Sequence, residues 1–550
     1  MNRIKILSIT FLTLLLGNSK ITIAQNDFEI AKNVDIFISV LNELNDKYAD
    51  EISPGNLTQT AIKAMLNSLD PYTVFYPESM VEDARIFQSS DYGDIDLSME
   101  KIGTDLVITN LTENSPSLEA GLQVGDIVIN VNGKTTKNRT PEEVKMSLRG
   151  EPNSTCKVEI FRKTDKTTHV FSIKRKKIKT PCVPYSGILD NNIGYIKLST
   201  FMEPTVSKDV FEAYNKLKGE GMKYLIIDLR DNGGGLLNEA VNIVNLFVDQ
   251  NIKIVETKGK ISEMNNSYKT QNTPIDKNIP IVVLVNDNSA SASEILSGAL
   301  QDLDRAVIVG KKTFGKGLVQ KVYPMDYNTS MKITVSKYYI PSGRCVQNIE
   351  YFGADTTKGA FHIPDSLAIA YKTKNNRVVY DKGGVEPDIL VDENEMSEIL
   401  ASLINSYAIF DFANLYFSKH SSISDPNDFS IDETTYNEFL QFLENRDFKF
   451  ESSVEDIYNQ LVKIAKEKNQ LNELKNSLDE LKKQIELLKN IELKKNKDEI
   501  KHYLTQEIVS RYYYSTGKLI NSLHNDEYIK IAKNILLDSN RYNKILSPQQ

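Results

Sequence analysis

The sequence predicts a multidomain α/β protein flanked by helical segments. Three observations carry that expectation. At 550 residues the chain is too long for a single core. Two near-continuous apolar runs, "KYLIIDL" (223–229) and "IPIVVLVN" (279–286), lead into the helical patterns "GLLNEAVNIVNLFV" and "SEILSGALQD". Runs of that kind are strands buried on both faces of a sheet, and their alternation with helices builds an α/β core. On either side the pattern changes, to short alternating strands before this region and to polar helix after it.

The first 24 residues are a leader rather than fold. Arg3 and Lys5 precede the apolar run "ILSITFLTLLLG", and Thr22 and Ala24 supply small side chains at its end. That pattern is a secretory signal peptide, cleaved before Gln25. An uncleaved anchor that keeps the protein near a membrane is the alternative. No cysteine stands there to take a lipid, and no later apolar run is long enough to span a bilayer. The mature chain is expected in the periplasm or another extracytoplasmic compartment.

Residues 25–88 read as a helical region, because "FEIAKNVDIFISVLNELNDKY" and "LTQTAIKAMLNSL" space their apolar residues by three and four. Residues 89–175 read as strands separated by Gly and Asn turns: "DLVITNL", "DIVINVNG", "CKVEIFRK" and "THVFSIKR". Two helical pieces, "SPSLEAGL" and "TPEEVKMSLRG", interrupt them. The stretch "SPSLEAGLQVGDIVINVNG" (Ser115 to Gly133) resembles a PDZ module; a generic small β-domain is the bland alternative. Residues 176–390 form the α/β core. Residues 391–550 are helical and polar, and Leu471, Leu474, Leu478, Leu481, Ile485 and Leu488 step as a heptad seam. A helical hairpin or a homo-oligomer contact follows from that seam, with a partner-binding arm as the alternative.

Composition excludes some functions. A net charge of −8 argues against a general nucleic-acid binder. Cys156, Cys182 and Cys345 are far apart and form no cluster with histidine, so no metal site is expected. One disulfide among them is open. The five histidines lie outside the Gly- and Ser-rich stretches, which disfavours a Ser-His-Asp triad.

Three stretches carry chemistry. In "VNDNSASASEILSGALQD", Ser289, Ser291 and Ser293 follow a buried strand and precede a helix, where free N–H groups and a partial positive charge gather. Ser291 with Glu294 also fits a capping box. In "DLRDNGGGLL" (228–237), Gly233, Gly234 and Gly235 let backbone amides approach a ligand or a developing oxyanion; a tight strand-to-helix turn would look the same. In "KTFGKGLVQK", Lys316 stands between Gly315 and Gly317, and Gln320 follows at i+4, where its amide could orient the lysine. A lysine that serves as a base near pH 7 must lose about 3 pKa units through desolvation. A surface Gly-Lys-Gly turn is the bland reading. "GKKTFGKG" also has phosphate-loop spacing, but Gly317 replaces the hydroxyl that such loops need, and a strand pattern follows.

Taken together, "DLRDNGGGLL", "NSASASEILSGALQD", "TFGKGLVQ", "YYIPSGRCVQ" and "GGVEPDI" resemble the motifs of the C-terminal processing peptidases, or tail-specific proteases. With the PDZ signature the likeness covers roughly residues 30 to 390. It implies a crotonase-like α/β spiral core with an embedded PDZ domain and no metal or cofactor. It further implies Ser291 as nucleophile, Lys316 as general base, Gln320 as the residue that holds the lysine, and the Ala292 and Gly234 amides as oxyanion hole. The expected partners are proteins with unstructured C-terminal tails, bound at Tyr92, Gly93, Asp94, Ile95 and Leu97. Two departures stand out. The family usually has proline where Gly233 stands, and the carboxylate-binding loop here reads "YGDIDL", with Asp94 and Asp96 where a tail carboxylate would be repelled. A non-catalytic PDZ adaptor and a crotonase-like enzyme acting on thioesters are the rival functions.

Overall fold

A computed structural model describes residues 27–78, 92–177, 181–351, 361–362, 365–381, 383–392, 396–446, 448–450 and 452–548. The expected leader lies outside the described residues. The chain divides into two compact units. The smaller holds described residues 27–77, 322–333 and 351. Residues 27–47 are helical, and the helix Pro54–Asn67 starts at Ser53, whose hydroxyl accepts the Asn56 N–H. The strand Val74–Tyr76 pairs antiparallel with residues 330–332.

The larger unit contains the core sheet. Its strands run in the order Tyr185–Leu189, Ile193–Lys197, Tyr224–Asp228, Ile281–Val285, Val307–Gly310, Ile389–Leu390. The first pair is antiparallel and every later pair parallel. Successive side chains point to opposite faces, so each strand must find two apolar layers. Leu225, Ile227, Ile281, Val283 and Ile308 face the helices Val206–Gly219, Leu237–Asn245 and Ala292–Asp302. Ile226, Val282, Leu284, Val307 and Val309 face Tyr528, Ile529, Ala532 and Ile535 of the helix Glu527–Leu537. The C-terminal helices therefore complete the core around this sheet.

Residues 97–174 form a second sheet in the order Leu97–Ile102, Asp105–Leu111, Ile127–Val131, Thr155–Arg162, Thr167–Lys174. Both expected helical pieces form: Ser115 caps Pro116–Glu119, and Thr140 with Glu143 makes a capping box on Pro141–Leu148. Beyond residue 396, helices from Glu398–Asn405 to Lys497–Ser522 enclose a third core around Phe412, Phe439 and Leu504. The heptad seam lies in the helix Leu471–Lys495, which packs on Ser453–Glu467. Only Leu478 and Ile485 of the seam are buried, while Leu474 and Leu481 are exposed. Among the described residues the three cysteines are free, and no helix is long and apolar enough to cross a membrane.

Candidate active site

The strand Ile281–Val285 ends in the turn that opens the helix Ala292–Asp302, and this turn carries the three serines. Their duties differ. Ser289 Oγ donates to Leu229 O at 2.9 Å and accepts the Asn286 N–H at 3.0 Å. Ser293 Oγ donates to Asn232 O at 2.8 Å. Both side chains are fully buried structural ties. Ser291 is half-buried and makes no side-chain cap hydrogen bond. Its backbone sits at φ 57° and ψ −111°. A non-glycine residue held there costs about 1–3 kcal/mol and persists only where its surroundings over-determine the turn.

Glu294 supplies much of that determination. It reaches back to the Ser291 N–H, at 2.8 Å from Oε2, as a capping-box glutamate does. The same oxygen accepts the Lys316 N–H at 2.8 Å. Oε1 accepts the Gly315 N–H at 2.7 Å and Thr313 Oγ1 at 2.6 Å. The side chain is fully buried. Burial pushes its pKa up, while the hydrogen bonds from Thr313, Lys316, Ser291 and Gly315 oppose the rise. One carboxylate thus ties the serine turn to the lysine loop across 22 residues of sequence.

Lys316 is half-buried in the loop before the strand Leu318–Met325, so the phosphate-loop alternative fails at the element after the lysine. Backbone closes on the loop from both sides: Gly317 N–H donates to Gln347 Oε1 at 2.7 Å, and Asn348 N–H to Gly315 O at 2.9 Å. Gly315 has φ 86°, and a Cβ on it would collide with Asn348 Cβ. Tyr338 spans the two segments. Its hydroxyl is 2.8 Å from Lys316 O and 3.1 Å from Ser291 O. Burial holds the phenol well above its ordinary pKa, so it remains a donor. Gln320, on the strand Leu318–Met325, donates from Nε2 to Thr334 Oγ1 at 3.3 Å.

Ala292 is the first residue of its helix, so its N–H has no intrahelical acceptor. Gly234 lies against it, with φ 95°. A Cβ there would stand 2.8 Å from Ala292 N and 2.9 Å from Ser291 Cβ. This close approach explains the glycine. The Gly234 N–H, expected to face an oxyanion, instead donates to Asn232 Oδ1 at 2.9 Å, an Asx turn that satisfies the amide internally. Gly233 has open space around a notional Cβ, so the proline usual at this place would fit by that measure.

Before this turn, Asp228 is fully buried beneath Arg230, which reaches both carboxylate oxygens at 2.6 and 3.1 Å. Tyr195 OH donates to Asp228 at 2.7 Å and Lys197 Nζ lies at 3.3 Å. Burial alone would raise the Asp228 pKa, but the charges of Arg230 and Lys197 hold it well below the usual carboxylate range. Asp526 pairs with Arg230 at 2.8 Å, and the guanidinium lies 4.7 Å from the Tyr528 ring centroid. At the far end of the serine helix, Arg344 of "YYIPSGRCVQ" pairs with Asp302 at 2.9 Å. Gln301 there holds Glu386 O of "GGVEPDI" at 2.8 Å. Both motifs anchor the helix, and the first also carries Tyr338, whose hydroxyl reaches Ser291 O.

The expected tail-binding loop is also ordered. Ile95 and Leu97 bury their side chains in the small β core, which leaves only their backbone for a ligand. Gly93 and Asp94 pair with Lys176 and Lys177. Asp94 is buried, and its Oδ1 accepts the Ile95 N–H at 2.7 Å and the Asp96 N–H at 3.4 Å. Its Oδ2 is 3.3 Å from Arg149 Nε, and the Arg149 guanidinium lies 4.7 Å from the Tyr92 ring centroid.

Glu294, Tyr338 and Asn232 were not singled out as site residues by sequence reasoning. Glu294 had a local signal in the capping-box spacing, while Tyr338 and Asn232 stood inside the quoted stretches "YYIPSGRCVQ" and "DLRDNGGGLL".

Comparison with known proteins agrees with this division of the chain. Residues 192–356 match the model of Peptidase family S41, and residues 107–162 match a PDZ domain model. Residues 399–536 match a model described as "Probable PDZ-protease, C-terminal helical domain". A probable CtpA-like serine protease of Staphylococcus aureus (strain bovine RF122 / ET3-1) is 32% identical over 318 residues, 57% of this chain and 62% of that protein. The match thus spans less than two thirds of that relative. The carboxy-terminal processing protease CtpA of Bacillus subtilis (strain 168) is 29% identical over 453 residues, 81% of this chain and 94% of that protein. Among solved structures, a photosystem II D1 C-terminal processing protease is 26% identical with a TM-score of 0.36, covering 65% of this chain and 92% of that one.

Proposed function

The chain belongs to the C-terminal processing peptidases of family S41, and from that premise we propose that it is an exported serine endopeptidase working through Ser291 and Lys316. The observation that carries this reading is the strained Ser291 backbone, tied to the Lys316 loop through Glu294. Lys316, as a neutral amine, takes the Ser291 proton while Oγ attacks the scissile carbonyl. The Ala292 N–H receives the developing oxyanion, and the Gly234 N–H joins it on leaving Asn232. Lys316 then protonates the leaving amine, and water releases the acyl-enzyme. Gln320 holds the lysine from the adjoining strand. The PDZ module recruits unstructured protein substrates, and the leader exports the chain to the periplasm or an equivalent compartment.

A non-catalytic adaptor is favoured by one observation, the Gly234 amide already bound to Asn232. A fluorophosphonate label tests both readings. Stoichiometric labelling located at Ser291 by mass spectrometry, with cleavage of unfolded casein lost in Ser291→Ala, supports the peptidase. An unlabelled, folded protein refutes it.

A further inference from the structure

We propose that Asp94 is a built-in carboxylate ligand of the PDZ loop, so that the module takes extended chain segments without a free terminal carboxylate. This deepens the recruiting role given above to the module and rests on it. A chain-terminal carboxylate is captured by successive backbone N–H groups aimed at one point, with a cation beside them. The loop Tyr92–Leu97 offers such amides, and Asp94 already occupies two of them, those of Ile95 and Asp96. Arg149 stands beside the loop, and Asp94 holds its guanidinium as well. One buried side chain therefore makes the kinds of contact that an incoming tail would need. A tail carboxylate meets engaged donors, a paired guanidinium and the charge of Asp94. Asp96, half-buried beside it, adds a second carboxylate to the loop. Its pKa is raised by burial and, less, by Asp94.

What remains for a ligand is the strand Leu97–Ile102. It lies at the edge of its sheet, with the helix Pro141–Leu148 against it. An extended segment can add to such an edge through main-chain hydrogen bonds, which require no chain end. The structure thus favours the interior of an unfolded chain, or a blocked end, over a free C-terminus.

The test uses the full chain carrying Ser291→Ala, so that no peptide is consumed. A fluorescein-labelled decapeptide ending Leu-Ala-Ala is made once as the free acid and once as the C-terminal amide, and binding is read by anisotropy. With Asp94 in place, the two forms should bind within about twofold of each other. In Asp94→Gly, which vacates the loop, the preference for the acid should rise by about tenfold. Asp94→Asn, which keeps the side chain's volume and an acceptor oxygen, should move the ratio the same way by less. It carries the test if the glycine variant does not fold. Gain of acid binding in a variant also supports the proposal when the parent binds neither peptide. An acid preference already present in the parent, or a ratio unchanged in the variants, overturns it, as does binding by no form. Catalysis plays no part in this readout, so a failure of the peptidase reading appears only in the labelling experiment.

Discussion

Replacing Glu294 should separate catalysis from binding more sharply than replacing any other buried residue. The carboxylate accepts four hydrogen bonds in a fully buried position. In Glu294→Gln the amide can point its oxygen either way. With the nitrogen on the Oε2 side, both the Ser291 and Lys316 N–H groups lose their acceptor. With the nitrogen on the Oε1 side, Thr313 can turn its hydroxyl to accept and only the Gly315 N–H is stranded. The second arrangement wins, and one stranded buried donor costs about 1–3 kcal/mol. Glu294→Ala strands three backbone donors at once, about 3–9 kcal/mol before relaxation, which rivals the whole stability of a domain. The glutamine variant should therefore fold with a lowered melting temperature. Its kcat should fall at least about tenfold, because a near-1.4 kcal/mol loosening of the lysine loop against the serine is enough for that. Peptide binding at the PDZ module should not change. Thermal melts, casein turnover and anisotropy on one preparation provide the check. A Glu294→Gln enzyme with parental turnover and stability would refute the reasoning, since Tyr338, which also spans the two segments, meets their carbonyls and not the stranded amides.

Four further outcomes follow from the same geometry. Ser291→Gly should abolish casein turnover while raising the melting temperature, because glycine relieves a strain of about 1–3 kcal/mol; Ser289→Ala and Ser293→Ala should keep activity and lose about 1 kcal/mol each in denaturant melts. Lys316→Arg should fold and bind peptide yet turn over nothing, since a guanidinium does not give up its proton in proteins; measurable turnover in that variant would sink the Ser-Lys mechanism. Asp526→Ala should lower kcat with little change in KM, by removing one of the two carboxylates that hold Arg230 ahead of the Gly234 turn; steady-state kinetics against the parent decide it. The depressed Asp228 pKa adds stability that is fully present above about pH 4 and is lost as pH falls further, since the unfolded chain then binds a proton that the folded chain refuses; melts from pH 6 to pH 3 should show this fall, and Asp228→Asn should remove its share of the slope.

The parts of the fold that were legible share one property, a local pattern. The strands Tyr224–Asp228 and Ile281–Val285 announced themselves as apolar runs because both of their faces are covered. The capped helices Pro116–Glu119 and Pro141–Leu148 announced themselves through Ser115 and Thr140. Ser291 and Lys316 were assigned from motif. What joins them was not, because Glu294 reaches Gly315 and Lys316, and Tyr338 reaches Ser291, through contacts that leave no periodicity in the chain. The spacing that gave Gln320 a task at Lys316 carries no sign of the bond that its Nε2 donates across the sheet to Thr334. The heptad positions were spaced correctly for a seam, but a helix needs a partner along its whole length to bury one. The hairpin covers Leu478 and Ile485 and leaves Leu474 and Leu481 exposed.

The C-terminal extension read as a polar appendage, yet the sheet could not stand without it. Parallel strands with apolar residues on both faces need two covering layers. The helices between the strands supply one, and Tyr528, Ile529, Ala532 and Ile535 supply the other. Tyr542 extends the tie, with its hydroxyl 3.0 Å from the N–H of Ile281, the first residue of the strand that leads to the serine turn. The helix Glu527–Leu537 also begins at Asp526, whose carboxylate holds Arg230 while Tyr528 lies beneath the guanidinium. Arg230 in turn fixes Asp228, and two residues later Asn232 holds the Gly234 amide and the Ser293 hydroxyl. A continuous set of contacts therefore runs from the last helices to the turn beside Ser291. Folding the tail and organising the Gly234 turn draw on the same side chains, so the extension cannot be removed without disturbing the site it supports.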